Sequence, residues 1–186
     1  MWKDYPKSGG LQAKPEELVN SENRVSIVQE RKCELVCEML RSSGTVRIRV
    51  TGRSMLPSIW PGDTLVIHQR HSWELGVGDI LVYRQDQRLF AHRVLAISCC
   101  WRQFTLSVRG DALPEPDSPV FNWQVLGTVS QIIRNGKCFC PSSHLKRYER
   151  LIAIMTWRSD GFATFAVVAH AIFGKTRWRE SRARAA

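Results

Sequence analysis

The 186-residue sequence has no uninterrupted apolar run of the roughly 20 residues that a membrane-spanning helix needs. Its longest apolar region, Leu151 to Phe173, is broken by Arg158 and Asp160. Each such charge costs about 2.5–3.5 kcal/mol at a helix centre on the insertion scale. A core helix or one lying in a membrane interface is therefore expected there, not a span. Residues 1–22 lack an apolar segment of the secretory kind and carry Pro6 and Pro15, so they read as a flexible arm with no signal or anchor. Glycine and proline are sparse, at 12 and 8 residues, and no fixed period recurs. That excludes collagen, low-complexity and solenoid architectures. Zinc is short of ligands: Cys138, Cys140 and His144 make three where a structural site wants four, and the Cys-x-Cys spacing is too tight. No metal or other cofactor is expected. Cys33/Cys37 and Cys99/Cys100 read as reduced thiols in a cytoplasmic or membrane-associated setting.

What is present is an ordinary globular composition, 44% hydrophobic and 24% charged. Lys and Arg number 27 against 17 Asp and Glu, a net charge of +10. The excess is densest in residues 175–186, where Lys175, Arg177, Arg179, Arg182 and Arg184 face only Glu180. With the apolar segment before it, the stretch 151–186 is a candidate for peripheral contact with an anionic membrane. Nucleic acid is not an expected partner, because the basic residues along the strands are not interleaved with stacking aromatics.

Ile27, Val28, Leu35, Val36, Met39 and Leu40 recur at helical spacing ahead of Gly44, which predicts an amphipathic helix over 23–44. The period then becomes two, with Val46, Ile48 and Val50 alternating with Arg47 and Arg49. Further strands are expected over 64–68, 80–83, 89–97, 103–108 and 123–133. Gly62-Asp63, Gly78-Asp79, Arg109-Gly110-Asp111, Asp86-Gln87 and Asn135-Gly136 punctuate them as turns. The expected fold is mainly β, built of coiled antiparallel sheets over 45–140. An apolar helical segment follows over 141–174, then the basic tail.

Ser54 lies in a turn between Gly52 and Pro57, where a hydroxyl stands off any regular face. A serine is a weak nucleophile until a base is within hydrogen-bond reach. Of five histidines, His92 is the one set mid-strand between Phe90 and Val94, suited to a base poised near neutrality. Asp111 and Asp117, in a loop stiffened by Pro114, Pro116 and Pro119, are the candidate acids to orient it.

Taken in order, Thr51-Gly52-Arg53-Ser54-Met55-Leu56-Pro57-Ser58, Gly62-Asp63, Gly78-Asp79-Ile80-Leu81-Val82-Tyr83, His92-Arg93-Val94 and Arg109-Gly110-Asp111 resemble the type I signal peptidase superfamily of serine peptidases, the S24/S26-like group. The likeness is to the branch of archaea, spore-formers and the endoplasmic reticulum, whose base is histidine where the common bacterial branch has lysine. It spans about 46–129. It implies Ser54 as nucleophile, His92 as general base, and Asp111 or Asp117 as the orienting acid. Gly52, Met55 and Pro57 would line the substrate and oxyanion side of the turn. With glycine at 52, the side-chain oxyanion donor often found there in the family is missing, which implies either lower activity or a hole built entirely from backbone N–H groups. The implied reaction is cleavage of a peptide or preprotein after small side chains. The alternatives are a self-cleaving regulatory domain like those of the SOS repressors, which use a Ser-Lys pair, and an inactive peptide-binding relative. The first would need an Ala-Gly or Cys-Gly dipeptide upstream of Ser54, and none occurs.

Overall fold

Helix α1 (Pro15–Ser43) opens on a proline, whose fixed φ suits the first helical position, and meets no other proline or glycine before Gly44. It therefore starts earlier than the hydrophobic period suggests, and residues 15–22, expected in the arm, are helical. Gly44, at φ +67°, stops it by donating to the Leu40 carbonyl at 2.8 Å. The face turned to the body carries Cys33, Val36, Cys37 and Leu40, while Ile27, Val28, Leu35 and Met39 are exposed. Cys33 and Cys37, one turn apart, are thus small buried thiols on the packed face, as their i,i+4 spacing suggests. Burial and the neighbouring Cys37 push the Cys33 thiol up to about 11, so it behaves as a small core group.

The structure is a computed structural model that describes residues 15–100, 103–159 and 161–170; the basic-tail expectation over 175–186 lies outside them. Its centre is one antiparallel sheet of eight strands: β1 (Thr45–Arg49), β2 (Thr64–Gln69), β3 (Ile80–Gln85), β4 (Arg88–Cys100), β5 (Gln103–Arg109), β6 (Val120–Phe121), β7 (Val125–Arg134) and β8 (Lys137–Phe139). Their order is β1-β2-β7-β3-β4-β5-β6, with β8 on β7. Trp123 was expected to open a strand. Residues 122–124 instead make a short 3-10 turn, closed by the Phe121 amide on the Gln124 side chain at 2.9 Å, and β7 starts at Val125. The hairpin tips are as the sequence suggests, with positive φ at Asp86, Gln87, Asn135 and Gly136, as two-residue turns of matching twist require.

β3 is buried on both faces, so it is continuously apolar rather than alternating. Ile80 and Val82 join Leu40, Val46, Met55, Ile59 and Ile67 in one core, and Leu81 and Tyr83 join Val94, Leu106, Val108 and Val120 in the other. Each fully buried side chain of this size is worth about 1.5–3 kcal/mol. β4 inherits the same division through its register, with Leu81 opposite His92 and Ile80 opposite Arg93. Adjacent residues of β4 therefore point to different sides of the sheet. Two C-terminal helices follow the sheet, α2 (Arg147–Arg158) and α3 (161–170).

Candidate active site

The segment between β1 and β2 carries Ser54 and is closed at its base. Val50 donates to the Asp63 carbonyl and Gly62 to the Val50 carbonyl, both at 2.8 Å. Buried Asp63 accepts the Trp60 amide at 2.8 Å and Arg134 Nη2 and Nε at 2.7 and 2.9 Å. Arg134 also donates to the Ser58 carbonyl at 3.0 Å, clamping the loop to the end of β7. Met55, Leu56 and Pro57 are buried, and Ser54 between them and exposed Arg53 is only partly covered. The turn is thus rooted in the core by the residues after the serine and open to solvent before it.

Ser54 and His92, 38 positions apart in sequence, meet with Oγ and Nε2 at 2.9 Å. The other ring nitrogen, Nδ1, contacts Asp117 Oδ2. A carboxylate only accepts, so Nδ1 carries the proton and Nε2 presents its lone pair to the serine hydroxyl. Asp117 is held by its own amide on the Val108 carbonyl at 2.9 Å and accepts the Tyr83 hydroxyl at 2.9 Å. Burial, with the Asp117 carboxylate beside it, drives the Tyr83 ionisation far above the ordinary tyrosine range, so the phenol stays a donor. Tyr83 and Phe90 wall the imidazole, at ring-centroid separations of 6.1 and 5.9 Å, and His92 is 3% exposed.

Asp111, the other acid expected to orient His92, does something else. Its two oxygens are taken by Arg93, at 2.8 Å from Nε and 2.7 Å from Nη2, and the Ser58 hydroxyl donates to Oδ2 at 2.5 Å. The bidentate guanidinium outcompetes any neutral ring for that carboxylate, and Arg93 lies on the opposite side of β4 from His92. Arg93 also donates to the carbonyls of Gly78 at 2.9 Å and Ser142 at 2.6 Å. One side chain therefore ties the Ser54 loop, the turn before β3, the end of β5 and the segment leading to α2.

Gly110 sets the serine's position by what it lacks. A Cβ there would stand 2.6 Å from the Ser54 carbonyl oxygen and 3.0 Å from its Cβ. The close approach lets Ala112 donate to that carbonyl at 2.8 Å. Gly52 is exposed and has open space around it, so nothing in the fold requires glycine there. Reasoning from sequence missed Tyr83, Ser58 and Arg93. Tyr83 and Arg93 stood within two of the recognised boxes, but their partners are 34 and 18 positions away.

Cys138 and Cys140 are exposed free thiols, and His144 bonds Ser143 at 2.9 Å. Among the described residues no three metal-binding side chains cluster. A cavity of about 610 Å³ does not include Ser54 in its lining; it lies between Leu113, Pro114 and the α2 residues Arg150, Ile154 and Trp157. The arrangement at Ser54 has a hydroxyl, a base and an orienting acid in line, as acyl transfer requires.

A family model described as Peptidase S24-like matches residues 15–129, more than half of the chain, taking in Ser54, His92, Asp111 and Asp117. No curated protein gives a match.

Proposed function

The chain belongs to the S24-like peptidase family, and we propose that it is a serine endopeptidase of the signal-peptidase kind. The contact between Ser54 Oγ and His92 Nε2 at 2.9 Å carries this reading. Ser54 attacks the scissile carbonyl while His92 takes its proton and Asp117 steadies the imidazolium. The same ring returns the proton to the leaving amine, and water then resolves the acyl-enzyme. Asp117 is the orienting acid, and Tyr83 is a positioning residue that fixes Asp117. The oxyanion is met by backbone N–H groups of the Ser54 turn, since Gly52 offers no side chain. Met55 and Pro57 shape the floor of the turn, and the preferred peptide or preprotein carries small residues at the cut.

Purified protein with a peptide bearing alanine at the cut site tests this directly. Wild type cleaves it, and Ser54→Ala and His92→Ala lose about 10³-fold or more in kcat while both remain folded by circular dichroism. Normal cleavage by both variants overturns the assignment. A self-cleaving regulator would instead cut its own chain upstream of Ser54 at alkaline pH, which intact-mass measurement detects.

A further inference from the structure

Helices α2 and α3 lie beyond the family match, and α2 has its polarity inside out. The stripe it turns to the body is Glu149, Ile152, Ala153 and Thr156, with Ala153 and Thr156 buried. Apart from Ile152, its bulky apolar residues are outside: Leu151 is 64% exposed, Ile154 53%, Met155 50% and Trp157 52%. A helix that needed only to cover the sheet would bury these groups. On the outer face the apolar residues are bracketed by Arg147 at one end and Arg158 at the other, one helical stripe of Arg147, Leu151, Ile154 and Arg158. Lys146 and Arg150 add to the charge, with Glu149 as the one acid on the helix.

α3 repeats the pattern. It buries Ala163 and exposes Phe165 (68%) and Val168 (50%). It is also tied to the nucleophile loop: Arg53 Nη1 donates to Thr164 Oγ1 at 3.1 Å, and His170 stacks on Trp60 with ring centroids 4.1 Å apart. Thr164 stands beside Phe165 and one turn from Val168, so exposed apolar groups adjoin the residue before Ser54.

We propose that α2 and α3 form an amphipathic foot that lies in the surface of an anionic bilayer and holds the Ser54 turn at the lipid interface. The occupant is lipid because apolar groups with Trp157 and Tyr148 among them, rimmed by arginine, complement an acyl-chain boundary beneath anionic headgroups. No helix among the described residues is long and apolar enough to cross a membrane, so the foot lies on the bilayer. The cavity beside α2, with Ile154 and Trp157 on its wall and Arg109 and Arg150 among its residues, continues the same apolar and cationic surface.

The full chain is tested by co-sedimentation with vesicles of phosphatidylglycerol and phosphatidylcholine, against phosphatidylcholine alone, at 0.1 and 0.5 M salt. Binding to the anionic vesicles is expected to fall several-fold at the higher salt. The exposed-site double variant Leu151→Ser/Phe165→Ser, with an unchanged melting temperature, is expected to lose binding about tenfold or more. Arg147→Glu/Arg158→Glu loses the preference for anionic lipid. Lipid binding needs no catalysis, so Ser54→Ala binds like wild type whatever its effect on cleavage. Full binding by the Leu151→Ser/Phe165→Ser variant would overturn the proposal by assigning attachment to residues outside the helices. No vesicle binding, with a dimer that the same variant dissociates, would overturn it in favour of a contact between copies.

Discussion

His92 and Arg93 are neighbours on β4, and each holds an aspartate from the stretch after β5, yet the two pairs are built for different ends. Arg93 and Asp111 are sealed, with side-chain exposures of 8% and 3%, and Ser58 and two backbone carbonyls use their remaining capacity. His92 is equally buried, but its partner Asp117 is 21% exposed in its side chain, and one ring nitrogen is left facing a hydroxyl that can react. A strand's alternation lets consecutive residues serve opposite sides of a sheet. Here it separates a structural joint from the proposed general base by one peptide bond. The joint fixes the loops; the proposed base uses the geometry they create.

Substituting the two aspartates in parallel breaks the comparison if it is wrong. Asp117→Asn is expected to lower kcat by about 10⁴ while the urea midpoint barely moves, since the amide presents its NH₂ to Nδ1 and favours the wrong tautomer. Asp111→Asn is expected to cost about 3–5 kcal/mol of stability, read from urea unfolding, because it strands a buried guanidinium. Restoring balance with Arg93→Met and Asp111→Leu together should recover much of that loss. An Asp111→Asn protein of normal stability and reduced kcat would mean the roles are shared.

Tyr83→Phe sharpens the contrast further. Losing a buried donor to a carboxylate should lower kcat about tenfold and leave KM unchanged, since the phenol touches Asp117 and the ring of His92 rather than the substrate. The smallest effect lies at α3. Burial, with the Arg134 charge nearby, lowers the His170 ionisation in the folded chain, while Asp63 opposes it weakly. The unfolded segment therefore takes up a proton first as pH falls below about 6.5, so the His170–Trp60 stack is favoured at neutral pH and loosens on acidification. Hydrogen-exchange protection across 161–170, taken relative to the intrinsic amide rate at each pH, should fall between pH 7.5 and 5, and His170→Phe should remove that dependence.

Much of the sheet was legible because the alternation of Val46, Ile48 and Val50 and the Gly-Asp turns are local signals. β6 and β8 have two and three residues, too few for any period to register. Ser54 and His92 could be named because each sits in a short motif. The choice between Asp111 and Asp117 could not be made, because it depends on Arg93 claiming one of them across the sheet, a competition between long-range partners. The direction in which α2 turns its bulky face was hidden for a related reason. Periodicity reports that two faces differ, and the body decides which one it covers.

A single hydrogen atom at position 110 holds Ser54 in its place. The smallest side chain that could replace it would overlap the Ser54 carbonyl at 2.6 Å, so the constraint is one of room rather than of backbone freedom. Evolution has no intermediate step there: alanine already displaces the serine, and larger residues displace it more. Among descendants that keep this loop and this chemistry, drift at that codon is confined to synonymous change, whereas Gly52, two residues before the same serine, has open space around it.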